Sequence, residues 1–202
     1  MTTQPEPKPS PAMGPRANSF KGYIDDFLPN AKALREQGLA LPFYDYTGKD
    51  GEVYKRVYIT EIKGLKERLE QLFGSEIEML ISGYRLNYNG EMPNAAIHSD
   101  MGWGEFALVL YLSDGPGGTA FWRHKATGAE SLHPDDMKLL MEVEQDWNNV
   151  EAWEQVSCIE MKFGRAAIYD SKLFHSRWPF EAFGDSPETG RLIVVAFFNV
   201  KE

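Results

Sequence analysis

The residues best placed to do chemistry are His98 and Asp100, in the run Asn94-Ala95-Ala96-Ile97-His98-Ser99-Asp100. In an extended segment side chains alternate faces, so residues two apart point the same way. The imidazole of His98 and the carboxylate of Asp100 would then converge. A neutral nitrogen beside a hard anionic oxygen suits a borderline divalent metal such as Fe(II). Two donors do not complete a site. A third candidate is His175, in Tyr169-Asp170-Ser171-Lys172-Leu173-Phe174-His175-Ser176, directly after a predicted strand. Read alone, His98 is equally a turn histidine beside a solvated aspartate, and His175 a strand-end surface histidine.

Sixteen residues beyond His175, Arg191 opens the apolar strand Arg191-Leu192-Ile193-Val194-Val195-Ala196-Phe197-Phe198. A rigid fork of donors at the head of such a strand suits a carboxylate ligand bound through two hydrogen bonds. It could instead pair with Asp170. Tyr88 and Tyr111 are aromatic strand residues that would also suit a core with no ligand. His124 and His133 read as non-ligands. Trp122, Trp147, Trp153 and Trp178 would either line a cleft or fill a core.

These groups need elements to hold them. Residues 1–18 carry Pro5, Pro7, Pro9, Pro11 and Pro15 with little to bury, which predicts a disordered tail. One domain is expected over 19–202. Phe20–Leu28 predicts a strand and turn. Pro29 predicts the first turn of a helix to about Gln37, stopped by Gly38. Val53–Thr60 predicts a strand. Glu61–Phe73 predicts a helix with Ile62, Leu65, Leu69, Leu72 and Phe73 on one face, ended by Gly74. From Ile77 the pattern changes to short strands: Ile77–Tyr88, Phe106–Leu112, Thr119–Trp122, Arg165–Tyr169 and Leu192–Val200. A Gly-Pro-Gly-Gly turn precedes the third. The expected class is mainly β with flanking helices, a sandwich or barrel of jelly-roll type.

An insert at about 124–156 interrupts the strands. Pro134 is expected in the first turn of its helix, with Asp135 and Asp136 complementing the helix dipole. Met137, Leu140, Met141 and Trp147 are its expected apolar face. Long excursions from a compact scaffold are commonly lids or binding loops. The expectation is a lid over the site whose carboxylates favour a neutral or cationic substrate; the alternative is a helix that only pads the outside of the sheet.

The chain has 202 residues, 43% hydrophobic and 25% charged, the profile of a globular protein. Its net charge of -9 argues against nucleic acid or an anionic membrane as a partner. The lone cysteine, Cys158, excludes an intrachain disulfide and fits a reducing compartment. No apolar run reaches transmembrane length and no signal peptide is visible, so the expected location is the cytoplasm. Oligomeric state is not legible.

The pattern as a whole resembles the Fe(II)/2-oxoglutarate-dependent dioxygenases, in their prolyl-hydroxylase-like branch. The residues that carry the resemblance are His98-Ser99-Asp100, His175 and Arg191, with three spacer motifs. Tyr88-Asn89-Gly90 lies ten residues before His98. Val109-Leu110-Tyr111-Leu112-Ser113-Asp114 is similar to that family's Tyr-Leu-Asn strand end. Gly117-Gly118-Thr119-Ala120-Phe121 is similar to its Gly-Gly-x-x-Phe hairpin. The resemblance spans roughly Ile77–Val200, although Arg191 follows His175 by more than the usual spacing and the insert has no counterpart in the minimal fold.

The resemblance implies a double-stranded β-helix holding Fe(II) on His98, Asp100 and His175. It implies Arg191, helped by Tyr111, on the far carboxylate of 2-oxoglutarate, and Tyr88 nearer the metal. It implies consumption of O2, release of succinate and CO2, and oxidation of a C–H bond. Halogenating relatives have a small residue at the position of Asp100, so hydroxylation is the implied outcome. The substrate would be a small molecule or a protein side chain. A non-catalytic, cupin-like metal-binding jelly roll is the competing reading, and it gives Arg191 no task.

Overall fold

The computed structural model describes residues 20–49, 51–93 and 96–201. The predicted tail at 1–18 lies outside them, as do Asn94 and Ala95. Ten strands and three helices follow in order: β1 (Lys21–Ile24), α1 (Ala31–Leu39), β2 (Tyr44–Thr47), β3 (Val53–Ile59), α2 (Leu65–Phe73), β4 (Ile77–Asn87), β5 (Phe106–Tyr111), β6 (Gly118–His124), α3 (Met137–Glu144), β7 (Trp153–Glu160), β8 (Ala166–Asp170), β9 (His175–Trp178) and β10 (Arg191–Val200). A short 3-10 turn, Val150–Ala152, precedes β7.

Two antiparallel sheets face each other as a jelly roll. The larger has the order β1-β8-β5-β10-β4-β3-β2 and the smaller β7-β6-β9. β10 is central, with Arg191 opposite Asn87 on β4 and Ile193 opposite both Arg85 on β4 and Tyr111 on β5. Its period-2 alternation divides two cores. Leu192, Val194, Ala196 and Phe198 face outward into a core shared with Leu34 of α1 and with Leu65 and Leu69 of α2. Ile193, Val195 and Phe197 face inward between the sheets, with Val109, Tyr111, Phe121 and Tyr169. A strand buried on both faces reads as a continuous apolar run, as this one does. Each fully buried side chain of this size contributes roughly 1.5–3 kcal/mol.

Several local expectations are corrected. Gly38 does not stop α1, which runs on to Leu39. A Cβ there would lie 3.0 Å from the Tyr84 ring and 3.1 Å from Leu192, so glycine lets the helix sit close on the sheet. Gly74 does end α2, in the left-handed conformation at φ 68°. Pro134 falls before α3, whose N-cap is Asp136, accepting from the Leu139 amide at 2.9 Å. Met137 and Met141 are 59% and 65% exposed, so they do not form the packed face of that helix; Val143 is buried instead. Strands β2, β7 and β9 have no counterpart among the predicted strands.

The Gly117-Gly118 hairpin starts β6 and aligns Phe121 opposite His175. Gly117 has φ 80°, and a Cβ on it would meet the Trp178 carbonyl oxygen at 2.0 Å. A left-handed conformation costs a non-glycine residue about 1–2 kcal/mol, and overpacking about 1–3 kcal/mol. Gly117→Ala is therefore expected to lower the melting temperature by about 5–20 °C, at about 2–4 °C per kcal/mol for a chain of this size. Calorimetry checks this, and an unchanged melting temperature would contradict the close approach.

Candidate metal centre and its surroundings

His98 lies at the edge of the smaller sheet. It forms an antiparallel bridge with His175. The two residues exchange main-chain bonds: the His98 amide donates to the His175 carbonyl at 3.0 Å, and the His175 amide to the His98 carbonyl at 2.8 Å. Asp100 follows in the same extended segment, its amide donating to the Ser171 carbonyl at 2.8 Å, and the chain then turns so that the Trp103 amide donates to the Asp100 carbonyl. The local i, i+2 arrangement and the long-range bridge together bring three side chains to one place.

One donor atom from each of His98, Asp100 and His175 lies within 4.8 Å of the others. His98 Nε2 is 3.6 Å from Asp100 Oδ1, and His175 Nε2 is 3.1 Å from Asp100 Oδ2. His175 Nδ1 lies 2.9 Å from the Leu173 carbonyl oxygen. A carbonyl only accepts, so Nδ1 carries the proton; the neutral tautomer then leaves the Nε2 lone pair for a metal, and only the imidazolium donates from Nε2 to Asp100. Burial raises the Asp100 carboxyl, but the facing imidazoles more than reverse this and hold it below the usual carboxylate range. Burial works against the His175 imidazolium, and the Asp100 carboxylate outweighs it, so that histidine sits above its ordinary value. Two imidazole nitrogens and one carboxylate on a common face fit a divalent non-heme iron, with further coordination positions open.

The segment between His124 and Trp153 is not a lid. It connects adjacent strands β6 and β7 and packs on the outer side of the smaller sheet. The Trp147 carbonyl accepts from the Ile97 amide at 3.0 Å, and Asn148 Oδ1 from the Ala96 amide at 2.9 Å, so it braces the strand carrying His98 from behind. Buried His124 ties it down: Nε2 lies 3.1 Å from Asp146 Oδ2 and Nδ1 3.0 Å from the Thr127 hydroxyl. His133 is exposed. Trp122, Trp147, Trp153 and Trp178 belong to a third core, on the outer side of the smaller sheet, and none of them lines the cleft beside the triad. Trp122 donates to Ser176 Oγ at 2.9 Å and stacks on Phe180.

Arg191 is buried and points between the sheets. It does not pair with Asp170. Its Nη1 donates to Asn87 Oδ1 at a long 3.3 Å, its guanidinium lies 5.8 Å from the Tyr111 ring centre, and its Nε has no partner among the described residues. Burial pulls it below its ordinary pKa. Tyr111 stands beside it, with its hydroxyl 2.8 Å from Thr119 Oγ1 and 3.3 Å from the Ile159 carbonyl. Tyr169 bridges the space to the triad: its ring is 4.7 Å from the His175 ring, and burial first, then Asp100, pushes its phenol well above the usual value. Tyr88 is a correction. Its ring packs with the outer core beneath the Arg56 guanidinium, 4.4 Å away, and so does not approach the triad. The alternation that brings Arg85 and Asn87 inward turns Tyr84, Leu86 and Tyr88 outward.

Sequence reasoning missed Arg85, Trp103, Thr119 and Tyr169. A cleft beside the triad has walls from β2, β3, β4 and β10 and includes Arg85, His98, Asp100 and Trp103. Its cavity volume is about 100 Å³. None of its wall residues comes from the segment between His124 and Trp153. The signal available in the sequence is parity: Arg85 shares the strand face of Gly83 and Asn87.

Comparison with solved structures shows the same fold in known enzymes. SnoK, a non-heme alpha-ketoglutarate-dependent carbocyclase from nogalamycin biosynthesis, superposes with a TM-score of 0.56 at 13% identity, over 88% of this chain and 79% of its own. SnoN, an alpha-ketoglutarate-dependent epimerase from the same biosynthesis, has 0.54 at 15% identity, over 88% and 77%. HygX from Streptomyces hygroscopicus, whose structure has iron bound, has 0.52 at 13% identity, over 89% and 82%. Identities this low speak for the fold alone. No curated protein matches the sequence. No helix among the described residues is long and apolar enough to cross a membrane. Residues 91–198, more than half the chain and the stretch that holds all three candidate ligands, match the family described as a family of unknown function, DUF6445, and the chain belongs to that family.

Proposed function

We propose that the protein is an Fe(II)- and 2-oxoglutarate-dependent oxygenase that hydroxylates an organic substrate, with residues 19–202 acting as one oxygenase domain. The observation that carries this reading is the convergence of His98, Asp100 and His175 within 4.8 Å, inside a jelly roll of the kind used by alpha-ketoglutarate-dependent enzymes. His98 Nε2, Asp100 and His175 Nε2 would hold the metal. Iron and 2-oxoglutarate, when bound, supply the activation of O2 that oxidises a C–H bond as succinate and CO2 are released. The chain's own work is orientation and electrostatics. The Leu173 carbonyl fixes the His175 tautomer. Arg191 offers a guanidinium whose Nε has no partner among the described residues to the distal carboxylate of 2-oxoglutarate, with Tyr111 and Thr119 beside it. The apolar walls between the sheets exclude water and strengthen that pairing.

The placement in the prolyl-hydroxylase-like branch rests on the strand-end and hairpin motifs at Tyr111 and Gly117-Gly118. The motif at Tyr88 lends it no support, because that ring faces the other core. Hydroxylation rests on Asp100, since a carboxylate ligand leaves no room for a halide in its place. The fold itself does not choose the outcome: a carbocyclase and an epimerase use it too.

The test is anaerobic addition of Fe(II) and 2-oxoglutarate to the full chain. A weak visible charge-transfer band should appear only with both, and succinate should form slowly once O2 is admitted. Metal binding with no band and no succinate would favour a non-catalytic metal-binding jelly roll.

A further inference from the structure

Arg85 is the charged group in the cleft that the proposed reaction leaves without a task. It lies on β4, opposite Ile193 of β10 and Val57 of β3, and its side chain helps to wall the cleft holding His98 and Asp100. No ion pair or side-chain hydrogen bond ties its guanidinium among the described residues, and its buried Nε has no partner. The Tyr54 ring, 5.2 Å from the guanidinium carbon, covers a face of it, and Asp100 is the carboxylate near enough to attract it, without a hydrogen bond between them among the described residues. Among the described residues Asp100 is the only carboxylate in the walls, and its two oxygens are turned to His98 and His175. Burial, and after it repulsion from Arg191, pulls Arg85 down to about 10. Arg177 is pulled down to about 9 by burial and then by Arg191 and Arg85. It differs from Arg85 in donating to the carbonyls of Phe180 and Glu91. A buried cation with free in-plane donors is costly unless an anion meets it.

One cosubstrate carboxylate can neutralise one guanidinium. If Arg191 takes the distal carboxylate of 2-oxoglutarate and the other carboxylate goes to the metal, Arg85 requires a second anion. The rest of the cleft is aromatic and apolar. Trp103 is half-buried, stacks on Phe197 with centres 5.6 Å apart, and meets the edge of Tyr54 at 6.2 Å. Lys49 lies over Trp103 at 4.9 Å and adds positive charge at the rim. The acidic segment between His124 and Trp153, which would have favoured a cation, lies behind the smaller sheet.

We propose that Arg85 anchors the substrate through a carboxylate, so that the site takes a small organic acid with a flat apolar body lying against Trp103. The role of that acid as the molecule oxidised rests on the oxygenase reading. The anchor does not, and it can be tested without metal.

The probes are 3-phenylpropanoate and its uncharged amide, titrated calorimetrically into the metal-free full chain with and without saturating 2-oxoglutarate. The parent is expected to bind the acid at least about tenfold more tightly than the amide, as one charge-assisted pair implies, in both conditions. Arg85→Gln should bind acid and amide alike. Arg85→Lys should keep part of the preference, because it retains charge but not the fork. Equal affinities in the parent, or no detectable binding of either probe, would overturn the proposal. So would an acid preference that survives in Arg85→Gln, or one that 2-oxoglutarate abolishes, since that would make Arg85 the cosubstrate anchor. Should Arg85→Gln fail to fold by circular dichroism, the parent's acid–amide ratio and the Arg85→Lys variant decide. A parent that shows the acid preference but binds no iron supports the anchor while refuting the oxygenase reading.

Discussion

His175→Ala is expected to abolish metal binding while leaving the protein folded, and His98→Ala and Asp100→Ala should do the same. The contacts that hold His175 in place are main-chain bonds to His98, which an alanine keeps. What is lost is one of three convergent donors. A metal that binds the native state adds about 2.7 kcal/mol of stability at a hundred times its dissociation constant. For a chain of this size that is a rise of roughly 5–11 °C in melting temperature. The parent should gain this on addition of Mn(II) or Fe(II) under anaerobic conditions, and His175→Ala should not. Succinate production should fall with it. Parental stabilisation by metal in the His175 variant would place the third donor elsewhere.

Arg191→Ala should weaken 2-oxoglutarate binding by tens- to thousands-fold and leave metal affinity nearly unchanged. Truncating one side of a buried charge-assisted pair costs about 2–5 kcal/mol, and each 1.4 kcal/mol is about tenfold. The cosubstrate-free protein should not be destabilised in proportion. Among the described residues Arg191 has the long contact to Asn87 and the Tyr111 side chain beside it, no carboxylate pairs with it and its Nε is unpaired, so alanine removes a buried charge that the fold only partly satisfies. Opposite effects on ligand affinity and on the melting temperature of the free protein are the signature of a residue kept for its ligand. A variant with parental 2-oxoglutarate affinity, or one that loses stability as a buried ion-pair residue would, overturns this assignment.

The two arginines illustrate how far linear reasoning reaches. Arg191 was legible because it stands at the head of a run too apolar to be anything but a central strand, where a charge needs a reason. Arg85 was not, although it sits on the neighbouring strand and faces the same interior. Its own strand, Ile77–Asn87, carries polar and apolar residues on both faces, and period 2 states which residues share a face without stating which face turns inward. The same ambiguity misplaced Tyr88. A motif spacing put it near the first ligand, whereas its parity with Tyr84 and Leu86 sends it to the outer core.

Local chemistry settled the pairing of His98 with Asp100, the helix end at Gly74, the Gly117-Gly118 turn and the central strand at Arg191–Val200, because each depends on a few neighbouring residues. Tertiary structure alone decided what depends on distant partners. β9 is four residues long, and its side of the triad is held by main-chain bonds to His98, 77 positions earlier in the chain. β7 follows the segment that braces the ligand strand, and its burial pattern is too irregular to announce a strand. Gly38 reads as a helix stop until Tyr84 and Leu192 are found against it. Met137 and Met141 read as a packed face until no core is found beneath them. Periodicity records that a surface is apolar; only the assembled sheets determine whether another surface meets it, and so which of the candidate side chains share the cleft beside the candidate metal ligands.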